Sequence, residues 1–198
     1  MDIFSDSSLS QKLNQKLEQG GVISFVTDTV WGVGCLPNSQ KGVQNIYELK
    51  NRDTSKPLIL MSDNLENLLP YIKNVSPKAE SLMQTYFPGA LTLIFEKSDL
   101  TPDYVTSYQN TVGIRVPNNP VFQEICRNIN GHVLATTSAN LSGQNPALSY
   151  KEALKNVGAN VDYVFEDYGY HCQGKASTVA LINGNETKIL RQGDVYIE

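Results

Sequence analysis

The chain has 198 residues, 40% of them hydrophobic, and a formal net charge of −4 from 16 Lys and Arg against 20 Asp and Glu. This length suits one domain, and the apolar content is enough for a core, which excludes a disordered chain. The acidic balance argues against a protein that coats nucleic acid. The sequence has no apolar run of about 18 residues for a membrane span and no basic-then-apolar signal peptide. Three widely spaced cysteines indicate no disulfide framework and a reducing, cytoplasmic location.

Apolar periodicity predicts helices and strands in alternation. Leu9, Leu13 and Leu17 recur at every fourth position and give a first amphipathic helix that Gly20-Gly21 ends. Further helices are predicted over 39–50 and 77–86, and from 120 and 150. Apolar runs predict strands at 22–26, 57–61, 91–96, 111–116, 133–136, 178–182 and 187–190.

Local signals support several of these elements. Ser76-Pro77 and Asn119-Pro120 each combine an N-cap residue with proline at the first helical position. Ser149-Tyr150-Lys151-Glu152 is a capping box, and Asn183-Gly184 between two apolar runs predicts a hairpin. The pattern therefore predicts an α/β fold with a mixed sheet, in which the polar loops after strands are the place to look for a ligand site.

Common catalytic and cofactor motifs are absent or incomplete. Gly32-Val33-Gly34 is half of a dinucleotide fingerprint without its third glycine, and there is no GxxxxGK[ST] phosphate loop and no GxSxG elbow. His171-Cys172 has no further Cys or His at metal-ligand spacing. Asp28 is a weak candidate for Mg²⁺ because no second carboxylate stands beside it.

The positions of the arginines are more informative. The chain has four: Arg127 lies in a helix of ordinary surface pattern, whereas Arg52, Arg115 and Arg191 lie in or beside loops rich in Ser, Thr, Gly and Pro. Arginine offers a planar fork of donors that suits carboxylates and phosphates. Four basic residues between 41 and 56, in an acidic chain, indicate either a small anionic ligand or a solvated helix end.

Small hydroxyl and amide side chains accumulate in three other loops. These are Thr27-Asp28-Thr29, Thr136-Thr137-Ser138-Ala139-Asn140 and Ser177-Thr178. Each could be turn chemistry alone. Together with three arginines they suit a polar substrate that carries a carboxylate, a hydroxyl and phosphates.

Seven segments, in order, carry a family resemblance. They are Thr27–Gly34, Lys50-Asn51-Arg52 with Lys56-Pro57-Leu58, Phe87–Thr92, Val112–Pro117, Thr137–Gly143, Ser177–Val179 and Leu190–Gly193. The chain resembles the YrdC-like domain of threonylcarbamoyl-AMP synthases, of the short, single-domain type, over about residues 8–194. The resemblance implies one α/β domain whose twisted mixed sheet and flanking helices surround an open concave cavity.

The resemblance also implies an activity. It is a nucleotidyltransferase reaction in which L-threonine, bicarbonate and ATP give threonylcarbamoyl-AMP, pyrophosphate and water, with Mg²⁺ accompanying ATP. The product serves the N6-threonylcarbamoyl modification of an adenosine in tRNA, through separate downstream transferase proteins.

The family's site residues fall on matching positions of this sequence. Those expected to face ATP are Lys50, Arg52, Lys56, Thr111, Asn140 and Arg191. Those expected to face L-threonine are Thr29, Arg115, Ser138 and Ser177, with Arg115 on the carboxylate. The proposed catalytic set is Lys50, Arg52, Ser138 and Asn140. No covalent nucleophile is required, because the substrates need charge neutralisation and alignment.

Three positions depart from the usual family pattern. Val26 stands where many members have proline, Met61 where some have histidine, and Trp31 where tyrosine is more usual. Three alternatives also stay open: an RNA-binding module of the same fold that acts in tRNA or ribosome maturation, a carbamoyl-adenylate synthase like a domain of hydrogenase maturation proteins, and a non-catalytic regulatory paralogue. The acidic charge weighs against the first of these.

Overall fold

Nine strands form one mixed sheet in the computed structural model, which describes residues 3–4 and 7–197. The strands are β1 (Ile23–Phe25), β2 (Gly32–Cys35), β3 (Ile59–Ser62), β4 (Leu91–Glu96), β5 (Thr111–Arg115), β6 (Val133–Ser138), β7 (Tyr163–Val164), β8 (Thr178–Asn183) and β9 (Glu186–Arg191). Their order across the sheet is β7-β1-β2-β6-β3-β5-β4-β8-β9. The β1/β7, β3/β5 and β4/β8 pairs are parallel and the other neighbours are antiparallel, so the predicted mixed sheet is confirmed.

Five α-helices accompany the sheet within the part of the chain that the structure describes. They are α1 (Ser7–Glu18), α2 (Gln40–Lys50), α3 (Pro77–Tyr86), α4 (Pro120–Arg127) and α5 (Tyr150–Val157). No helix among the residues that the structure describes is long and apolar enough to cross a membrane.

The predicted helix starts are confirmed by side-chain caps. Ser76 Oγ accepts a hydrogen bond from the amide of Ala79, and Asn119 Oδ1 accepts from two amides at the start of α4. At α5, Ser149 Oγ accepts from the amide of Glu152, while the Glu152 carboxylate accepts from the amide of Leu148. In a usual capping box the Glu152 carboxylate would accept from the amide of the N-cap residue Ser149, whereas here it accepts from the residue before it, Leu148.

The sequence patterns missed two strands and misplaced one turn. Strand β2 was missed because it contains Gly32 and Gly34, and glycine lowers β propensity. Glycine is required at position 32 because a Cβ there would lie only 2.8 Å from the Phe25 ring. Strand β7 has only two residues, too few for periodicity. Asn183 pairs with Glu186, so the turn is Gly184-Asn185 rather than Asn183-Gly184, and Gly184 has a positive φ of 60°.

The core is continuous across the sheet and its helices. Fully buried side chains include Phe25, Trp31, Phe122 and Phe165. The Phe122 ring of α4 lies 5.0 Å from the Phe25 ring, centroid to centroid, and the Trp31 ring lies 6.0 Å from that of Tyr150. Aromatic packing therefore fixes β1 and the loop after it, which line the cavity described next.

Candidate active site

A cavity of about 460 Å³ lies over the middle of the sheet. One row of residues on the cavity floor runs across strands β6, β3, β5 and β4. In this row Ile59 of β3 pairs with Thr136 of β6 on one side and with Gly113 of β5 on the other, and Gly113 pairs with Ile94 of β4. In the next row Met61 pairs with Arg115, and Val179 pairs with both Thr92 and Arg191. The site therefore lies on the sheet face, with the predicted polar loops as its walls.

Arg115 is the most buried charged group of the cavity, with 2% of its surface exposed. Its Nε donates to the Gly89 carbonyl at 2.9 Å, its Nη1 donates to Thr29 Oγ1 at 2.8 Å, and its Nη2 forms an ion pair with the Asp28 carboxylate. Burial lowers the pKa of the guanidinium, while Asp28 acts in the opposite direction. Three of its five N–H groups are thus occupied, and two are left for a ligand.

Arg191 forms a second cationic position beside Ser177. Its Nε donates to the Ser177 carbonyl at 2.9 Å and its Nη2 donates to Ser177 Oγ at 3.1 Å. Ser177 Oγ also shares a hydrogen bond of 2.8 Å with Thr92 Oγ1. The charge of Arg191 lowers the pKa of Arg115, so the two guanidinium groups act on the same region of the cavity. An anion bound between them is attracted by both.

The Ser138–Asn140 turn is organised around a buried lysine. Lys50 is 1% exposed, and its ammonium donates to the carbonyls of Ser138 and Asn140 and to Asn140 Oδ1, the last at 3.2 Å. Ser138 Oγ donates to the same Oδ1 at 2.5 Å. Burial, and then Arg52, lower the pKa of Lys50 to about 7. Three oxygen atoms of the turn contact the Lys50 Nζ atom, so Lys50 holds this turn from beneath the cavity.

Arg52 lines the cavity from the loop after α2. The α2 helix ends at Asn51, which adopts a left-handed conformation with φ 45° and turns the chain so that Arg52 leaves the helix. The guanidinium is half-buried and donates to the carbonyls of Lys56 and Pro57, both at 3.2 Å. The guanidinium also interacts with Tyr47, and its remaining N–H groups are available to a ligand.

The structure brings most of the predicted site residues together. The predicted residues that line the cavity are Thr29, Arg52, Arg115, Ser138, Asn140, Ser177 and Arg191, with Lys50 directly beneath two of them. The other two do not line it. Lys56 is exposed, and Thr111 begins β5, about 13 Å along the strand from Arg115. Their contact with ATP stays a prediction.

The cavity is cationic. Its lining contains three arginines and no Asp or Glu, and the nearest carboxylate described above, Asp28, is paired with Arg115. Among the residues that the structure describes, no group of three His, Cys, Asp or Glu side chains could hold a metal ion, and His171 contacts Asp167 instead.

One contribution was missed in the sequence. Asp28 interacts with Arg115 across 87 residues, and no short motif predicts that pairing. The only signal for it was the place of Asp28 within the Thr27–Gly34 segment. Met61, where some members of the resembling family have histidine, lines the cavity beside Arg115 because β3 and β5 are parallel neighbours. Apolar runs alone do not fix that register.

The fold and the cavity together define an α/β protein whose cationic cavity suits a small anionic ligand. The model of the Sua5, YciO and YrdC family, which is described as telomere recombination, matches residues 15–193. The threonylcarbamoyl-AMP synthase of Vibrio campbellii is 32% identical over 185 residues, which cover 92% of this chain and 98% of that protein. The chain belongs to the Sua5/YciO/YrdC family.

Solved structures agree with this assignment. The crystal structure of P. abyssi Sua5 complexed with L-threonine has a TM-score of 0.86 and 26% identity and aligns with 95% of this chain. This chain spans 55% of the length of that protein. Escherichia coli YciO has a TM-score of 0.82 at 24% identity, covering 96% of this chain and 91% of its own, a likeness that shows the fold.

Proposed function

We propose that the chain is an L-threonylcarbamoyladenylate synthase, a nucleotidyltransferase that converts L-threonine, bicarbonate and ATP into threonylcarbamoyl-AMP, pyrophosphate and water. The observation that carries the proposal is the cavity with Arg52, Arg115 and Arg191 and no lining carboxylate. Such a cavity suits one substrate with a carboxylate and another with a triphosphate. The curated relatives named for this activity, which match over most of the chain, support it.

Two parts of the cavity floor suit different parts of the substrates. Arg115 with Thr29, and Ser177 beside Arg191, offer charged and hydroxyl donors for the carboxylate and hydroxyl of L-threonine. The row of Ile59, Gly113 and Ile94 is apolar, and Gly113 adds no side chain above the sheet. We assign the adenine ring to this row, because a planar ring needs a flat apolar surface.

The residues of this chain align and neutralise the reactants. The amine of L-threonine forms a bond to the carbon of bicarbonate and water is lost, which gives N-carboxythreonine. The carbamate oxygen of this intermediate then forms a bond to the α-phosphorus of ATP, and the bond from that phosphorus to the pyrophosphate oxygen breaks. Arg52 and Arg191 balance the charge that moves onto the pyrophosphate, while Lys50 fixes the Ser138–Asn140 turn that borders it. Mg²⁺ bound to the ATP phosphates would supply further charge neutralisation.

The product is a labile mixed anhydride, so its use requires a further protein. We assign the transfer to the adenosine of tRNA to separate threonylcarbamoyl transferases. A cytoplasmic location fits the free thiols: Cys35 and Cys126 are buried, Cys172 is half-buried, and none forms a disulfide.

The experiment that tests the proposal measures pyrophosphate released from ATP and Mg²⁺, with and without L-threonine and bicarbonate. We expect release only when both are added, together with the mass of threonylcarbamoyl-AMP in the quenched mixture. Folded protein that binds ATP but releases no pyrophosphate in response to threonine would contradict the proposal.

A further inference from the structure

Asp28 occupies an unusual position for a carboxylate. It is 8% exposed, and its side chain lies against the Arg115 guanidinium rather than in the cavity lining. Both members of the ion pair are buried, with 3% of the Arg115 side chain and 9% of the Asp28 side chain exposed. A buried carboxylate must be compensated by a partner, and here the partner is the arginine that faces the expected substrate carboxylate.

The loop that carries Asp28 is rigid for local reasons. Thr27 Oγ1 accepts from the amides of Thr29 and Val30 and donates to the carbonyl of Val30 at 2.7 Å, which closes a tight turn around Asp28. The carbonyl of Asp28 accepts from the amide of Gln173 at 2.9 Å. These hydrogen bonds fix the backbone at Asp28 independently of the ion pair between Asp28 and Arg115.

Arg115 in turn is held by three hydrogen-bond acceptors that lie in two other segments of the chain. Gly89 lies before β4, Thr29 and Asp28 lie in the loop after β1, and Arg115 itself ends β5. An arginine side chain has several rotatable bonds, and ordering it costs free energy that must be met either before or during ligand binding. Because the protein's own hydrogen bonds already order the Arg115 side chain, less of this free energy has to be supplied when the ligand binds.

We propose that Asp28 is a positioning residue that aims the two remaining N–H groups of Arg115 at the carboxylate of the amino-acid substrate. The inference rests on the proposed function for its substrate. Asp28 acts through Arg115, without touching substrate or Mg²⁺.

The test compares steady-state constants of Asp28→Ala and Asp28→Asn with those of the wild type. We expect Asp28→Ala to raise the KM for L-threonine about tenfold and to leave the KM for ATP within about twofold. Asp28→Asn keeps an acceptor oxygen for Arg115 and should show a smaller rise. Asp103→Ala is the matched control, because Asp103 is an exposed aspartate paired with Lys97 outside the cavity lining.

A second comparison separates positioning from a general structural role. In an Arg115→Lys background the fork is gone, so adding Asp28→Ala should change the threonine KM by less than about twofold. Independent, multiplicative effects of the two substitutions would overturn the inference. So would an equal rise in the ATP KM, or a shifted Mg²⁺ requirement, which would make Asp28 a metal ligand.

Direct binding keeps the test decisive in two other cases. If Asp28→Ala does not fold, calorimetric titration of folded Asp28→Asn with L-threonine replaces it, and an affinity equal to that of the wild type overturns the inference. If the wild type releases no threonine-dependent pyrophosphate, the proposed function fails, whereas threonine binding that weakens in the Asp28 variants still supports the positioning role. A wild type that does not bind L-threonine overturns both.

Discussion

Arg52 is the cavity arginine whose functional and structural contributions separate most cleanly. We expect Arg52→Ala to lower kcat/KM about a hundredfold, because a charge that neutralises the triphosphate is lost. The two bonds to the Lys56 and Pro57 carbonyls add a stability cost of about 1 kcal/mol, more than for a fully exposed arginine. Arg127→Ala is the control, since Arg127 is exposed and pairs with Glu124 on α4. Pyrophosphate release and thermal unfolding measure the two effects, and an unchanged turnover would refute the role of Arg52.

Lys50 should make stability depend on pH in a defined direction. Its pKa is about 7 in the folded protein against 10.5 ordinarily, so between these values the unfolded chain binds more protons. The Lys50 contribution to the unfolding free energy therefore rises with pH across this window and is lost as pH falls through about 7. Urea unfolding from pH 6.5 to 9.5 should show a steeper rise for the wild type than for Lys50→Met. Parallel pH profiles would contradict the assignment.

At the scale of elements, the floor of the cavity depends on the absence of a side chain. A Cβ on Gly113 would lie 2.8 Å from Ile59 Cγ2 and 3.4 Å from Thr92 Cγ2. We expect Gly113→Ala to fold with a loss of about 1–3 kcal/mol and to raise the KM for ATP more than that for threonine. Gly158→Ala, which meets its neighbours at 3.4 Å or more, is the control. An unchanged KM for ATP would move the adenine ring away from this row.

The same elements illustrate how far the sequence predicts the fold. Helices α3, α4 and α5 start where Ser76, Asn119 and Ser149 indicate, because a cap is a local interaction between neighbours in the chain. Strand pairing is not local. The parallel register of Met61 with Arg115 is decided by long-range packing, and it could not be predicted from apolar runs.

The same distinction between local and long-range interactions applies to the candidate site. Residue types such as Arg52, Arg115 and Ser138 could be singled out because their chemistry and motif order are visible in the sequence. What each does with its donors could not. Lys50 contacts three oxygens beneath the cavity, and Asp28 is committed to Arg115. Both facts require coordinates, because the partners lie 87 or more residues away.

At the scale of the whole molecule, charge distribution separates an enzyme from an RNA-binding module. The net charge is −4, and three of the four arginines line the cavity. We therefore expect tRNA to bind with a dissociation constant weaker than about 10 µM at physiological salt, measured by fluorescence anisotropy. A basic RNA-binding protein is the positive control. Tight binding that falls steeply with added salt would favour the RNA-binding alternative.

Strand β9 lies at one edge of the sheet and contributes Arg191 to the cavity lining. Within the described residues β9 pairs with β8 alone, most of its side chains are exposed, and its last residue is Arg191. Edge strands fray more readily than central ones, and a ligand that holds Arg191 in place must oppose that fraying. Amide hydrogen exchange in 186–191 should therefore slow when the substrates bind, so that the outermost strand reports occupancy of a site in the middle of the sheet.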